Sequence, residues 1–298
     1  MAVVTAALGV PIDSVGAASV DAAPFGTEQM PAALRRAGLV TGLGLPDRGD
    51  LPVRLVDPSR DRASGLTAWP SLDGATRTIR TAVRKLIEQG ERPLLLGGCC
   101  AMVPAAVSAL RDASGAAGVI NVDGHLDLYD AATSPTGEAA DVPIAALLGH
   151  GVPAWSDALS PMPVVEPDEV ALVGFRDLGE AQAAGSVMPE ALGINSVWDV
   201  ADVRADPTRV GELAGSALGG TRFWVHLDLD VLSEEVMPAT DYLMPGGLNY
   251  PQLSALLLPL VHDRGFSGLS VACLNPDKDP GGASARAVAD LLVGVLSH

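Results

Sequence analysis

The stretch Val119-Ile120-Asn121-Val122-Asp123-Gly124-His125-Leu126-Asp127 runs an apolar segment straight into Asp-x-His-x-Asp. Val119, Ile120 and Val122 are β-branched, which suits a pleated, buried strand. A short apolar run closed by glycine is the form of a strand in a parallel sheet. Two further stretches repeat it: Leu94-Leu95-Leu96-Gly97-Gly98-Cys99-Cys100 and Trp224-Val225-His226-Leu227-Asp228-Leu229-Asp230. Side chains alternate along a strand, so His226, Asp228 and Asp230 are expected on one face and Val225, Leu227 and Leu229 on the other.

Working outward, strands are predicted at residues 2–10, 92–96, 118–122, 169–174, 221–230 and 268–274. Amphipathic helices are predicted at 30–37, 75–89, 103–112, 251–261 and 284–296. Such alternation makes parallel βαβ units, giving an α/β protein with helices on both faces of a mostly parallel sheet. Ligands in such folds bind outside the carboxyl ends of the strands, where the polar ends of all three stretches fall. Residues 40–71, rich in Asp, Arg, Pro and Gly, read as a long surface connection, and one domain over 1–298 is expected.

At 298 residues and 48% apolar, the chain can bury a sizeable core. A formal net charge of -17 repels nucleic acid and anionic membrane surfaces, so neither is expected as a partner. The same charge suits cationic ligands and metal ions. The cysteines are Cys99, Cys100 and Cys273; neighbours in sequence rarely bridge, and an odd count makes no disulfide framework. A reducing, cytoplasmic setting is expected. The first residues carry no basic n-region, and no run of about 18 apolar residues occurs, so neither a signal peptide nor a membrane span is expected.

Burying several carboxylates together is costly unless a cation neutralises them. A single Asp-x-Asp is more often a cap or a turn. Asp-x-His-x-Asp together with His-x-Asp-x-Asp, both ending apolar strands, points to metal, because Asp, His and Cys are ligand types and bridging carboxylates hold ions close together.

These residues resemble the arginase and agmatinase (ureohydrolase) family. Asp123-Gly124-His125-Leu126-Asp127 is similar to its Asp-Ala-His-x-Asp signature, and Asp228-Leu229-Asp230 with Pro238-Ala239-Thr240 and Pro245-Gly246-Gly247-Leu248 to its third signature. Gly97-Gly98-Cys99-Cys100 stands where the family has Gly-Gly-Asp-His, and Gly9-Val10-Pro11, Gly174-Phe175-Arg176-Asp177 and Asn275-Pro276 extend the likeness over nearly the whole chain. The resemblance implies a three-layer α/β/α fold, assembly as a trimer or hexamer, and hydrolysis of a guanidino compound with release of urea. It implies two divalent ions, usually Mn2+, bridged by Asp123 and Asp228. Cys100 and Asp127 would complete one site, and His125 and Asp230 the other. Two such cations lower the pKa of a shared water, and Asp127 and His226 are the residues expected to serve catalysis.

The departures are as informative. Cys100 replaces a metal-binding His; thiolate is softer than imidazole and tilts selectivity toward Zn2+ or Fe2+. A branch of the family that hydrolyses N-hydroxy-arginine in D-cycloserine biosynthesis carries Cys at this place, which makes an N-oxygenated guanidine a candidate substrate. Ala140 falls where arginases have a proton-shuttling His, and Cys273 where they have the Glu that pairs with the guanidinium. Gly179 falls where an Asp grips the α-amino group, and Glu180 is the candidate replacement. Ser134 and Thr136 are candidates for a substrate carboxylate, and Asp130, Asp141 or Asp241 for the missing Glu. Arg176 and Asp177 are expected to form an ion pair. The expected activity is hydrolysis of a guanidino or amidino C–N bond; the alternative is a degenerate member that binds a ligand without turnover.

Overall fold

The computed structural model describes residues 3–15 and 23–297, so the predicted start of the first strand at Ala2 lies outside the described residues. Eight strands form one sheet: β1 (Ala6–Gly9), β2 (Asp47–Asp50), β3 (Pro93–Leu96), β4 (Gly118–Val122), β5 (Val170–Val173), β6 (Ser196–Trp198), β7 (Phe223–Asp228) and β8 (Phe266–Ala272). Their order is β2-β1-β3-β8-β7-β4-β5-β6, and every neighbouring pair is parallel.

Alternation divides the core into two layers. Leu95, Val119 and Trp224 pack into one apolar cluster, whereas Leu94, Leu96, Ile120, Val122, Val225 and Leu227 pack into the other. Helices cover both sides. Ser71–Glu88 buries Leu72, Ala75, Ile79, Val83, Leu86 and Ile87, a three- and four-residue spacing that makes one apolar face. Val103–Ser114 starts with Pro104 in its first turn and stops at Gly115, whose φ of 82° is the left-handed conformation that ends helices.

The strand order creates the crevice. β3 and β4 are separated by β8 and β7, so the connections leaving their carboxyl ends part over the middle of the sheet. Register brings the polar ends level: Val122 pairs with Leu227, and Asp228 with Ala272. One residue beyond that pairing, Asp123 stands beside Asp228. Gly98 lets the β3 connection cross tightly, since a Cβ there would lie 1.7 Å from the Ile12 carbonyl oxygen.

The structure bears out the α/β reading and refines it. The sheet is wholly parallel, with the added strands β2 and β6 at its two ends. Residues 40–71 are more than a surface connection, because they contain β2 and bury Val53, Leu55 and Leu66. β2 is held by charge: the Arg35 guanidinium donates to Asp47 at 2.8 Å and Asp50 at 2.5 Å. β7 ends at Asp228, and Asp230 sits on the following 3-10 turn, Leu229–Val231. Among the described residues, no helix is long and apolar enough to cross a membrane.

Candidate metal centre

Four adjacent strand ends deliver the polar residues. Cys100 opens the 3-10 turn after β3, Asp123–Asp127 follow β4, Asp228 ends β7, and Cys273 follows β8. Asp127 and Cys273 take φ values of 56° and 69°, a left-handed backbone uncommon outside glycine. Both turn the chain at the site itself.

The cluster is buried: Asp123 is 1% exposed, Asp228 2%, Asp127 and Asp230 5% each, and Cys100 3%. Ligand-type atoms fall into two groups, Cys100 with Asp123, His226 and Asp228, and Asp123 with His125 and Asp230, each with its atoms within 4.8 Å of one another. Asp123 belongs to both. Asp127 borders the same cavity but stands outside both groups, and its Oδ2 is buried without a hydrogen-bond partner.

Backbone amides pin the carboxylates. Asp123 Oδ1 accepts from the His125 amide at 2.8 Å, Asp228 Oδ1 from the Asp230 amide at 2.8 Å, and Asp230 Oδ1 from the Gly124 amide at 3.0 Å. Asp123 Oδ2 accepts from Asn121 Nδ2 at 3.3 Å, while the second oxygens of Asp228 and Asp230 meet other members of the cluster. The Cys100 thiol donates to Asp228 Oδ2 at 2.6 Å, and the His125 Nδ1 lies 3.0 Å from Asp230 Oδ2. Arg176 steadies the turn from behind, donating to the carbonyls of Asp230 (2.6 Å), Met244 (3.1 Å) and Leu232 (3.2 Å).

The electrostatics are those of a site built around positive charge. Burial, then the carboxylates around them, raises the pKa of Asp123, Asp127 and Asp228. For His125, burial pulls the pKa down, but Asp230 and Asp123 outweigh it and raise it well above its ordinary value. Hydrogen bonding with Cys273, then burial, pushes the Cys100 thiol well above its ordinary range. Burial drops His226 to about 3, so it is neutral. Crowded buried carboxylates, an orphaned Asp127 oxygen and a neutral buried imidazole fit divalent ions, which would reverse these shifts by neutralising the carboxylates.

Of the remaining candidates, Thr136, Asp141, Glu180 and Asp241 line the same cavity, while Asp130 and Ser134 do not. Ser134 and Thr136 both donate to Asp141 Oδ2, at 2.5 and 2.7 Å. Asp130 accepts from the amides of Ala132 and Thr133 in its own turn. Asp241 accepts from Asn275 Nδ2 at 2.7 Å and pairs with Lys278 Nζ at 2.8 Å. Glu180, on the exposed face of the helix Leu178–Ala184, reaches the cavity, as do Ala140 and Cys273. The expected Arg176–Asp177 ion pair gives way to a different division of labour: Arg176 serves carbonyls, and Asp177 Oδ1 accepts from the Leu126 amide at 3.1 Å. The sequence reading passed over Tyr242 and Glu138. Tyr242 meets the His125 ring edge-on at 6.1 Å and donates to Glu138 Oε1 at 3.1 Å. Burial lifts Glu138 to about 7. Its only sequence signal was its place in the loop with Ser134 and Thr136.

A wholly parallel sheet whose central strand ends gather Asp, His and Cys in two groups sharing one aspartate defines a class of α/β proteins built for paired metal ions. The chain belongs to the arginase family, whose model matches residues 4–297. By sequence it is 29% identical over 279 residues to the arginase of Bacillus caldovelox, covering 91% of this chain and 92% of that one. It is 27% identical over 292 residues to the arginase of Staphylococcus aureus strain MSSA476, covering 94% and 95%. The solved Bacillus caldovelox arginase superposes with a TM-score of 0.85 at 25% identity, covering 100% of this chain and 99% of that chain.

Proposed function

We propose that the protein is a dinuclear metal-dependent hydrolase that cleaves an amidino C–N bond in a guanidine of lowered basicity, such as an N-oxygenated one. The observation that carries the hydrolytic reading is the position of Asp123 in both ligand groups, which brings two ions within reach of one carboxylate. When bound, the ions supply Lewis acidity that lowers the pKa of a water beside the substrate carbon. Cys100, Asp123 and Asp228 would hold one ion, and Asp123, His125 and Asp230 the other, with Asp127 bordering the same cavity. Manganese is the family's usual metal, and the Cys100 thiolate favours zinc or iron(II).

The cavity wall argues for the substrate class. A cationic guanidinium buried there needs a carboxylate partner, because an unpaired buried charge costs several kcal/mol, roughly 3–5. Beside the cluster the wall offers the Cys273 thiol; of its other acids, Asp241 pairs with Lys278, Asp141 accepts from Ser134 and Thr136, Asp177 accepts from the Leu126 amide, and Glu180 is solvent-exposed. A neutral or weakly basic amidine fits that wall. Glu138, lifted to about 7 by burial and then by Asp141, accepts from the Tyr242 hydroxyl and so links a proton-exchanging group to a cavity that lacks a histidine at Ala140.

The test is a panel of guanidines offered to metal-loaded protein, with urea and substituted urea release followed by mass spectrometry. The expected result is turnover of N-oxygenated guanidines at least about tenfold faster than of arginine or agmatine, a difference of about 1.4 kcal/mol. Preference for the cationic compounds would overturn the substrate class. Two bound ions with no product from any compound would establish the degenerate, ligand-binding alternative.

A further inference from the structure

His226 lies in the middle of β7, fully buried, two residues before Asp228. Its Nδ1 is 2.8 Å from Ser270 Oγ across the β7–β8 pairing, and that same oxygen accepts from the Trp224 indole N–H at 3.0 Å. Its Nε2 is buried with no hydrogen-bond partner. The His226 imidazole nevertheless belongs to a carboxylate-rich group, in which ligand atoms of Cys100, Asp123, His226 and Asp228 all lie within 4.8 Å of one another, and with Nδ1 held at Ser270 the nitrogen left for that group is Nε2. A buried polar nitrogen without a partner is costly. Among three potential acceptors it makes no direct bond, and the shared spacing suits a central atom that all of them reach.

Building on the dinuclear reading above, we infer that His226 Nε2 is itself a ligand of the Cys100-side ion, giving that ion a sulfur, an imidazole and the carboxylates of Asp123 and Asp228. Ser270 completes the arrangement, because an imidazole that ligates through Nε2 carries its proton on Nδ1 and needs an acceptor there. The replacement of histidine by Cys100 at the end of β3 is thus accompanied by an imidazole entering from β7, two strands away. A mixed sulfur–nitrogen–oxygen set selects zinc or cobalt over manganese at that ion. The two halves of the centre would then differ in metal preference, since the His125 side retains one imidazole with oxygens.

The experiment uses two variants. In full-length His226→Phe, which keeps the ring volume, zinc affinity at one of the two ions should fall by about 100-fold or more with the other unchanged. In full-length His125→Ala, His226 is left as the only imidazole in the centre. X-ray absorption at the zinc edge, with one equivalent of zinc, should then show sulfur and imidazole on the same ion. Sulfur without imidazole, or no zinc bound through sulfur at all, would overturn the inference. The wild-type metal stoichiometry separates the two readings. Fewer than two ions bound would remove the dinuclear reading together with this one. Two ions bound, with the imidazole signal absent in His125→Ala, would remove this inference alone.

Discussion

The Sγ atoms of Cys100 and Cys273 stand 3.5 Å apart, joining the end of β3 to the end of β8 across 173 residues. Either thiol can donate to the other, and Cys100 also donates to Asp228. A metal on Cys100 competes with that pairing. Stripping the ions with a chelator and adding diamide, which takes two hydrogens from a thiol pair, should therefore join Cys100 to Cys273. Cys99, buried and outside that thiol pair, should stay reduced. Mass spectrometry of the metal-free and metal-loaded protein checks this. Three free thiols in the oxidised metal-free sample would refute it.

Asp123 and Asp230 separate sharply in their expected effects on metal content. Asp123 stands in both ligand groups, and Asp230 only with His125. Asp123→Ala should lose both ions, and Asp230→Ala the His125-side ion alone. Elemental analysis after dialysis reads the outcome, and full occupancy in Asp123→Ala would sink the bridging role.

Cys273→Glu returns a carboxylate to the cavity wall. A charge-assisted hydrogen bond to a guanidinium is worth about 1.5–3 kcal/mol, so the KM of a cationic guanidine should fall by about 10–100-fold. Steady-state kinetics on arginine and an N-hydroxy analogue measure it. An equal change for both substrates would show that position 273 does not sort them by charge.

Glu138 ties stability to pH. Its carboxyl is raised from 4.5 to about 7 by burial and by Asp141. The unfolded chain therefore gives up this proton first, and stability present below about pH 4.5 is lost as pH rises toward 7. The shift corresponds to about 3 kcal/mol. Urea melts of wild type and Glu138→Gln across pH 4.5–7.5 should diverge by that amount, with the glutamine variant falling less. Parallel curves would rule the effect out.

Arg176→Leu leaves the carbonyls of Asp230, Leu232 and Met244 without their donor. The expected loss is about 3 kcal/mol, seen as a lower urea midpoint at unchanged slope. Ion affinity on the Asp230 side should weaken with it, because the turn carrying that carboxylate is released.

The strand ends were legible because apolar alternation and polar termini coincide in the same short stretches, as in Val119–Asp127 and Trp224–Asp230. Harder to see were contacts between distant residues. Nothing near Asp241 in sequence announces Lys278, and Tyr242 meets Glu138 across 104 residues. Arg176 misled through its neighbour: adjacent opposite charges suggest a pair, but their side chains leave the chain in different directions and each finds backbone instead. His226 was expected to serve catalysis, but only the packing of β7 between β4 and β8 shows which of its nitrogens is satisfied. β2 escaped the reading because Asp47-Arg48-Gly49-Asp50 has no apolar residue at all.

That strand bears on how the molecule behaves among its own copies. A parallel sheet with an apolar outermost strand presents a row of open amides and carbonyls that invites another chain to add on. Here the outermost strand on one side is entirely exposed and carries two carboxylates clamped by Arg35. An approaching edge meets fixed charge and a glycine bend in place of a sticky template. At this edge of an otherwise aliphatic sheet, fixed charge thus opposes the addition of another strand.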